Sequence, residues 1–303
     1  MRSFSGKLSE INESILSSTK SGRIEYIKDW IENNLYAWQY KLNSDFSIDA
    51  VKDIEFHGRT NVPILIKDAG KNTISYDNCG NTTVTLPLHA KTVRFTDCDV
   101  LEEININGAT EIDSLYFENC PKLSFDNLKN NPDLKVKRLK IVNCGIETLS
   151  DITFVSKTIV IEKCKNIDVV NPCKNPMCSV FVTNCPVVSI APICLSYLSL
   201  SELKKSKKIH LDIDNLTELN ISDCKNLTDL TINGNKMEQV SIASCEKLEN
   251  LSIKNDCTIS LNLDALPSIK SYDLPATISG SCIVSELLTD PQINCKKRFI
   301  KRK

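Results

Sequence analysis

The chain has 303 residues, of which 41% are hydrophobic and 25% are charged, and its net charge is −1. This composition is ordinary for a globular protein. It contains no apolar run of about 18 residues, so we predict no membrane-spanning helix, and the N-terminus lacks the apolar core of a secretory signal. The last eight residues, KKRFIKRK, include six basic ones. The body before them is therefore mildly acidic and does not resemble a nucleic-acid-binding body, which would show a basic face or stripe.

Residues 1–21 form a polar, Ser-rich segment that we interpret as a flexible leader and a possible secretion signal. The next segment, 22–43, places apolar residues at intervals of three or four, on one face of an amphipathic helix. These residues are Ile24, Ile27, Ile31, Leu35, Trp38 and Leu42. We predict that 22–50 is a helical N-terminal cap, because an array of repeats needs a cover on its open end. A partner-binding or membrane-surface helix is the alternative.

One six-residue pattern, in which apolar residues alternate and a cysteine follows, recurs along the chain. Its copies are ISYDNC (74–79), VRFTDC (93–98), LYFENC (115–120), LKIVNC (139–144), IVIEKC (159–164), VFVTNC (180–185), LNISDC (219–224) and VSIASC (240–245). The segment LSLSEL (198–203) keeps the spacing, with Leu203 in the cysteine slot. Alternation of this kind predicts short strands with one buried face.

A second, fainter alternation lies about halfway through each unit, as in Leu230/Ile232 and Leu251/Ile253. No single unit can bury its apolar stripe, but stacked units can. We therefore predict that 51–275 is an α/β-solenoid, mostly β, of about ten coils with one column of small buried cysteines. The first coils are degenerate, and 124–138 carries an insertion. Residues 276–303 are expected to be a C-terminal cap and basic tail.

The pattern LxxLxIxxC followed by a second LxxLxI resembles the leucine-rich repeat, with Cys where Asn usually stands. Its period and its cysteine column are similar to the repeats of internalin J-like bacterial proteins. A Ser-rich leader, a helix with Tyr26 and Trp30, and the repeats together resemble the type III secreted effectors of the YopM/IpaH group. The Leu-Pro doublets of that group are missing, and the few residues after 295 do not imply its ubiquitin-ligase domain. The resemblance implies a leucine-rich-repeat solenoid that binds protein.

Four cysteines lie close together in the sequence: Cys173, Cys178, Cys185 and Cys194. They could hold zinc, but the spacing lacks the paired short loops of zinc signatures. We interpret them as buried reduced thiols, with a disulfide as a further alternative. The histidines, His57, His89 and His210, fall in separate coils, so they do not predict a Cys–His catalytic pair. We expect no catalytic residue, no cofactor and no metal, and hence no enzyme.

The residues between the strand leucines of such a repeat lie on an exposed sheet face, which is usually the binding face. In the middle coils these positions are rich in Tyr and Arg, the residue types that dominate interface energetics. The predicted partner-binding residues are Arg94, Tyr116, Arg138, Lys140, Phe181 and Tyr197. Two alternatives stand: Phe181 or Tyr197 could pack under a loop, or the halfway strands could form the broad sheet and place this set on the wrong face.

These observations favour a non-catalytic protein–protein interaction module with a protein partner, no nucleic acid and no membrane span. The first hypothesis is a bacterial effector that is secreted without a classical signal peptide into the host cytoplasm or nucleus and binds a host protein. The alternative is a resident cytoplasmic scaffold or adaptor of the source cell. The basic tail is interpreted as solubilising, with nuclear import as its alternative role.

Overall fold

The computed structural model describes residues 20–283, except 38, 46, 59–60, 107, 130, 151, 166, 171–177, 187, 191–194, 214 and 276–277. Within these residues the chain is a mostly β parallel solenoid of about ten coils, as the repeats predict. Nearly all of the leader and the whole basic tail lie outside the described residues, and so do Trp38, Cys173 and Cys194.

A helix, α1, spans Lys20–Asn34, and strands follow it. In chain order the strands of the first half are β1 (Tyr40–Leu42), β2 (Ile48–Ala50), β3 (Ile54–His57), β4 (Ile66–Asp68), β5 (Thr73–Asp77), β6 (Thr83–Leu86), β7 (His89–Thr96), β8 (Glu103–Ile106), β9 (Thr110–Glu118), β10 (Leu134–Val142), β11 (Thr148–Ser150) and β12 (Val155–Glu162). The later strands are β13 (Ile167–Val170), β14 (Ser179–Thr183), β15 (Val188–Ile190), β16 (Tyr197–Ser201), β17 (Lys208–Asp212), β18 (Glu218–Ser222), β19 (Asp229–Asn233), β20 (Gln239–Ala243), β21 (Asn250–Lys254), β22 (Ile259–Asp264), β23 (Ser271–Asp273) and β24 (Ile278–Ile283).

Helix α1 is shorter than the amphipathic pattern over 22–43 predicts. Two side-chain amides in its last turn, those of Asn33 and Asn34, donate hydrogen bonds to main-chain carbonyls four residues earlier. Side chains of this type compete with the helical ladder and favour helix ends. The chain is extended again at β1, where Leu42 is 42% exposed instead of lying on a buried helical face. The helix is not long and apolar enough to span a membrane, and nor is any other in the described part of the chain.

The strands that end just before the cysteine slot form the long sheet. In the described residues it has twelve parallel strands, in the order β24-β22-β20-β18-β16-β14-β12-β10-β9-β7-β5-β3. The halfway strands form smaller parallel sheets, β6-β8, β11-β13-β15 and β17-β19-β21-β23. The broad sheet is therefore formed by the strands that precede the cysteines and not by the halfway strands.

Equivalent residues of successive coils lie side by side, so each position becomes a column. In β18 and β20, for example, Leu219 pairs with Val240 and Ile221 with Ile242, and all four side chains are buried. The residues between them point outward. The early and middle coils add an interior stack of rings that the repeat pattern did not predict: Trp30, Phe56, Tyr76, Phe95, Phe117 and Phe125. Phe125 comes from the insertion, which therefore packs into the core.

A tight turn follows every long-sheet strand from β5 to β22. The turn residue has a positive φ of 49–57° and directly precedes the cysteine slot: Asn78, Asp97, Asn119, Asn143, Lys163, Asn184, Glu202, Asp223, Ser244 and Ala265. Asn and Asp tolerate this left-handed conformation better than other non-glycine residues. Each turn amide can then donate to the next coil, as from Asn119 to the carbonyl of Val142 at 3.0 Å.

The predicted cysteine column is confirmed. Its described members are buried and free: Cys79, Cys98, Cys120, Cys144, Cys164, Cys185, Cys224 and Cys245. Leu203 and Leu266 fill the same slot in two later coils. A thiol serves here as a small hydrophobe with a weak donor, and Cys98 donates to the carbonyl of Thr96 at 3.4 Å.

Candidate functional site

The outer face of the long sheet carries the predicted partner-binding residues. The register places one outward residue of each strand in a continuous row across the sheet. We call it the central row, and its members from β7 to β22 are Arg94, Tyr116, Lys140, Val160, Phe181, Ser199, Asn220, Ser241 and Asn262. Arg138 and Tyr197 lie in the row beside it, two residues earlier on their strands.

Tyr116 is held between two cations in the central row. The guanidinium carbon of Arg94 lies 4.7 Å from the centre of its ring, and the Lys140 ammonium lies 5.8 Å away. Both distances are within the range of cation–π attraction. We call these three residues the Tyr116 stack. It presents a flat ring with a cationic side chain on each side.

The hydroxyl of Tyr116 donates to the carboxylate of Glu118, two residues further along β9, at 2.5 Å. Partial burial, and then the hydrogen bond to Glu118, raise the pKa of Tyr116 to about 12. The phenol is therefore neutral at ordinary pH. The bond also fixes the direction of the ring, so the Tyr116 stack is ordered before any ligand arrives.

Two further rings, Phe181 and Tyr197, contact each other on the same face. Their centres are 5.1 Å apart, and their planes are tilted by 37°. Each side chain is half-buried, so part of each ring faces outward. We call this pair the aromatic pair. Aromatic surface with a polar hydroxyl at one end is typical of protein interfaces.

A group of cations lies next to the Tyr116 stack, on the longer N-terminal parts of β10 and β12. Lys137 bridges to the carboxylate of Asp113 at 2.5 Å. That hydrogen bond, together with the nearby charges of Arg138 and Lys157, lowers the pKa of Asp113. We call Lys137, Arg138 and Lys157 the basic cluster. Arg138 was predicted, whereas Lys137 and Lys157 were missed, because the repeat pattern does not predict how far a strand extends.

The predicted residues therefore share one surface. From Arg94 to Phe181 there are four strand spacings, or about 19 Å, and Arg138 lies on the same strand as Lys140. Lys140 also forms an ion pair with Glu162 on the next strand, at 3.1 Å. That pair neutralises Lys140 but leaves Arg138 without an ion-pair partner among the described residues.

A polar groove of about 760 Å³ runs along the turns of the first coils. Asn119 donates to Asp97 at 2.7 Å, and Asn143 donates to Asn119 at 2.7 Å, so hydrogen bonds between coils line it. In the described ranges no group of three or more His, Cys, Asp or Glu side chains could hold a metal ion. Of the four clustered cysteines, Cys178 and Cys185 are buried.

The three histidines are exposed, and each lies beside an aspartate: Asp77 for His57, Asp68 for His89 and Asp212 for His210. None of them contacts a cysteine in the described part of the chain. Comparison of the chain with protein-family models, with curated proteins and with solved structures found no match.

Proposed function

We propose that this chain is a leucine-rich-repeat solenoid that binds a protein on the outer face of its long sheet and performs no catalysis. One observation carries the proposal: the Tyr116 stack, the basic cluster and the aromatic pair share one outward surface in the middle coils. Tyr and Arg contribute most to the binding energy of protein interfaces. A solenoid supplies the broad scaffold that such a surface needs.

The leucine-rich-repeat identity is supported by the leucine spacing and by the two alternating strand sets. The helical cap is supported by contacts at the start of the solenoid. Trp30 of α1 is buried, and its ring centre lies 5.9 Å from that of Phe56 in β3. Since β3 is the last strand of the long sheet at this end, α1 would cover the first coil.

Delivery into a host cell is the second part of the proposal, and it rests on the resemblance to the YopM/IpaH group. Family resemblance of this kind is an associational argument. A resident cytoplasmic scaffold is the alternative, and the same binding surface supports it equally. The two are separated by fusing residues 1–50 to a translocation reporter and comparing bacteria with and without a working type III system. System-dependent delivery supports the effector, and no delivery from either strain contradicts it.

The binding proposal is tested by photo-crosslinking at single positions of the full chain. Thr158 is half-buried and lies on the long-sheet face between Arg138 and Ser179. A photoreactive phenylalanine analogue at this position should crosslink to a discrete protein in host lysate or in lysate of the source cell. The two lysates separate the effector from the scaffold.

Two control positions carry the same analogue. Ser241 lies in the central row but in a late coil, and Ser252 lies on β21 of the smaller sheet. We expect crosslinking at Thr158 to exceed that at both controls. Equal yields at all three positions, or none at Thr158 in either lysate, would show that the middle of the long sheet is not a specific binding face.

A further inference from the structure

We propose that the partner docks an acidic, extended segment on this face, with a carboxylate on the basic cluster and a large apolar side chain on the aromatic pair. The inference rests on the proposed function, which it deepens by naming the chemistry of the ligand.

The basic cluster carries more positive charge than its surroundings neutralise. Its three cations surround one carboxylate, that of Asp113. Arg138 is exposed, and the register sets it between the small side chains of Ser114 and Thr158. Its planar guanidinium is therefore accessible on both sides, and such a group binds carboxylates through two parallel hydrogen bonds.

The aromatic pair lies at a fixed distance from this charge. Phe181 is two strands beyond Arg138, and Tyr197 is three strands beyond it. At about 4.8 Å per strand, the separation is about 10–14 Å. An extended chain advances about 3.3 Å per residue, and alternate side chains share a face. A carboxylate and an apolar side chain four residues apart, on the same face of the ligand, match this distance.

The surface between these two points suits an extended chain. Thr158 and Val160, both half-buried on β12, form its floor. Neither carries a charge, so a ligand backbone that crosses β12 over these two residues has no charged side chain directly beneath it. The middle of the ligand segment can therefore consist of small uncharged residues.

Neighbouring carboxylates argue against a continuous polyanion such as a nucleic acid. Glu118 and Glu162 lie on the carboxyl side of the central row, and Glu111 and Asp113 lie on its amino side. A nucleic acid would meet these four carboxylates along its backbone, whereas one short acidic segment can avoid them. The basic tail, residues 296–303, has the same sign of charge as the basic cluster, so it is not the occupant.

The test measures binding of immobilised peptides to the full chain by biolayer interferometry. The probe has two adjacent glutamates and a phenylalanine four positions after the second, separated by Gly and Ser. One comparison peptide has Gln for both glutamates, and another shortens the spacer by two residues. A single-stranded oligothymidylate is the fourth ligand. We expect the probe to bind at least about tenfold more tightly than the other three, and added salt to weaken it.

The protein variants reverse charge at two sites. Arg138→Glu with Lys157→Glu should weaken binding of the probe by about tenfold or more and should create binding to a lysine version of it. Lys225→Glu with Lys254→Glu makes the same change of net charge on exposed residues away from the long-sheet face, and should leave binding unchanged. Thermal unfolding by circular dichroism checks that both double variants fold.

Each other outcome overturns this inference. Equal binding of the Glu and Gln peptides, no binding of any peptide, or equal loss in the two double variants contradicts an acidic ligand. If oligothymidylate binds more tightly than the probe, and if Arg138→Glu with Lys157→Glu abolishes that binding, the surface binds nucleic acid instead. If Thr158 crosslinks a protein that no charge reversal releases, the proposed function stands and only the acidic partner is wrong.

Discussion

The middle and the late coils have the same kind of interior but different surfaces. In the middle coils, the long-sheet strands β7, β9, β10 and β12 are eight or nine residues long. In the late coils, β18 and β20 have five residues each. Both regions bury leucine and isoleucine columns and cysteines.

The outward residues separate the two regions. The middle coils display cations and rings, whereas the central row of the late coils displays Asn220, Ser241 and Asn262. The regular repeat therefore maintains the scaffold, and the departures from it, including the insertion at 124–138, provide the distinctive surface. Each prediction below changes one side of this comparison.

The largest effect is expected from Phe117→Ala in the interior stack. The Phe117 ring is fully buried, with its centre 5.1 Å from that of Phe95. Truncation should lower the free energy of unfolding by about 3–5 kcal/mol, because it removes buried area and leaves a cavity. Urea unfolding followed by circular dichroism measures this loss.

A smaller truncation in a late coil is Ile221→Val, at a fully buried position of β18. It removes one methylene and should cost about 0.5–1.5 kcal/mol. If Phe117→Ala were no more costly than Ile221→Val, the rings would not support the middle coils. A loss confined to part of the unfolding curve would show that the two regions unfold separately.

The next largest effect concerns binding, measured with the protein that crosslinks at Thr158. Phe181→Ala removes half of the aromatic pair, and Tyr116→Ala removes the ring that Arg94 and Lys140 flank. Each should weaken binding by about 1–3 kcal/mol, the range of important interface residues. The dissociation constant by isothermal titration calorimetry gives the value.

Asn220→Ala and Ser241→Ala are the controls, because both lie in the central row of the late coils. They should change the dissociation constant less than twofold, an effect of about 0.4 kcal/mol. Losses as large as those at Tyr116 and Phe181 would extend the binding surface into the late coils. Unchanged affinity in both Tyr116→Ala and Phe181→Ala would show that the middle coils do not form the binding surface.

A smaller effect is expected at alkaline pH in the cysteine column of the middle coils. Burial raises the pKa of Cys164 from 9.0 to about 12 and that of Cys185 to about 11. A raised pKa means that the folded protein holds these protons more tightly than the unfolded chain does. The contribution of these two thiols to the free energy of unfolding is therefore fully present below pH 9 and is lost as the pH rises from 9 towards 12.

Urea midpoints measured between pH 8 and 11 test this dependence. Cys164→Ala removes one contributing thiol and should flatten the decline, although it lowers the midpoint at every pH. Cys257 is exposed, so Cys257→Ala is the control and should leave the slope unchanged. A slope that Cys164→Ala does not alter would contradict a buried, protonated column.

The fold was predictable because it depends on a periodic pattern that the sequence repeats many times. Leu219, Ile221 and Cys224 recur as Val240, Ile242 and Cys245, so the strand faces and the cysteine slot follow from the spacing. The ring stack was not predicted, because Phe95 and Phe117 occupy positions where any apolar residue keeps the pattern. The length of α1 was overestimated, because periodicity alone does not show where side-chain hydrogen bonds end a helix.

The candidate site was predictable only in part. Tyr116, Lys140 and Phe181 follow from counting positions along each strand, once the long sheet is known to use the strand set before the cysteines. Lys137 and Lys157 do not, because they lie on N-terminal extensions of β10 and β12 that precede the repeated pattern. Ion pairs such as Lys140–Glu162 join residues 22 positions apart, and only the stacking of the coils brings them together.

The smallest predicted effect concerns the turn residues with positive φ that precede the cysteine slot. Substitution by glycine at these positions should change the free energy of unfolding in opposite directions in the middle and the late coils. Ala265 has a φ of 53°, a conformation that costs an alanine about 1 kcal/mol. Ala265→Gly should therefore raise the free energy of unfolding by a few tenths to about 1 kcal/mol, after the entropy cost of glycine. Asn119 has a φ of 55° but also bonds to Asp97 and Asn143 in neighbouring coils.

Asn119→Gly relieves little strain, because asparagine tolerates this conformation, and it removes both side-chain hydrogen bonds. It should lower the free energy of unfolding by about 0.5–1.5 kcal/mol. Urea unfolding of Ala265→Gly and Asn119→Gly under the same conditions measures both changes in the free energy of unfolding. If the two variants change the free energy of unfolding in opposite directions, the side-chain hydrogen bonds between turns of the early and middle coils add stability beyond the turn conformation itself. A higher free energy of unfolding in both variants would show that these hydrogen bonds contribute nothing and that only the backbone conformation matters.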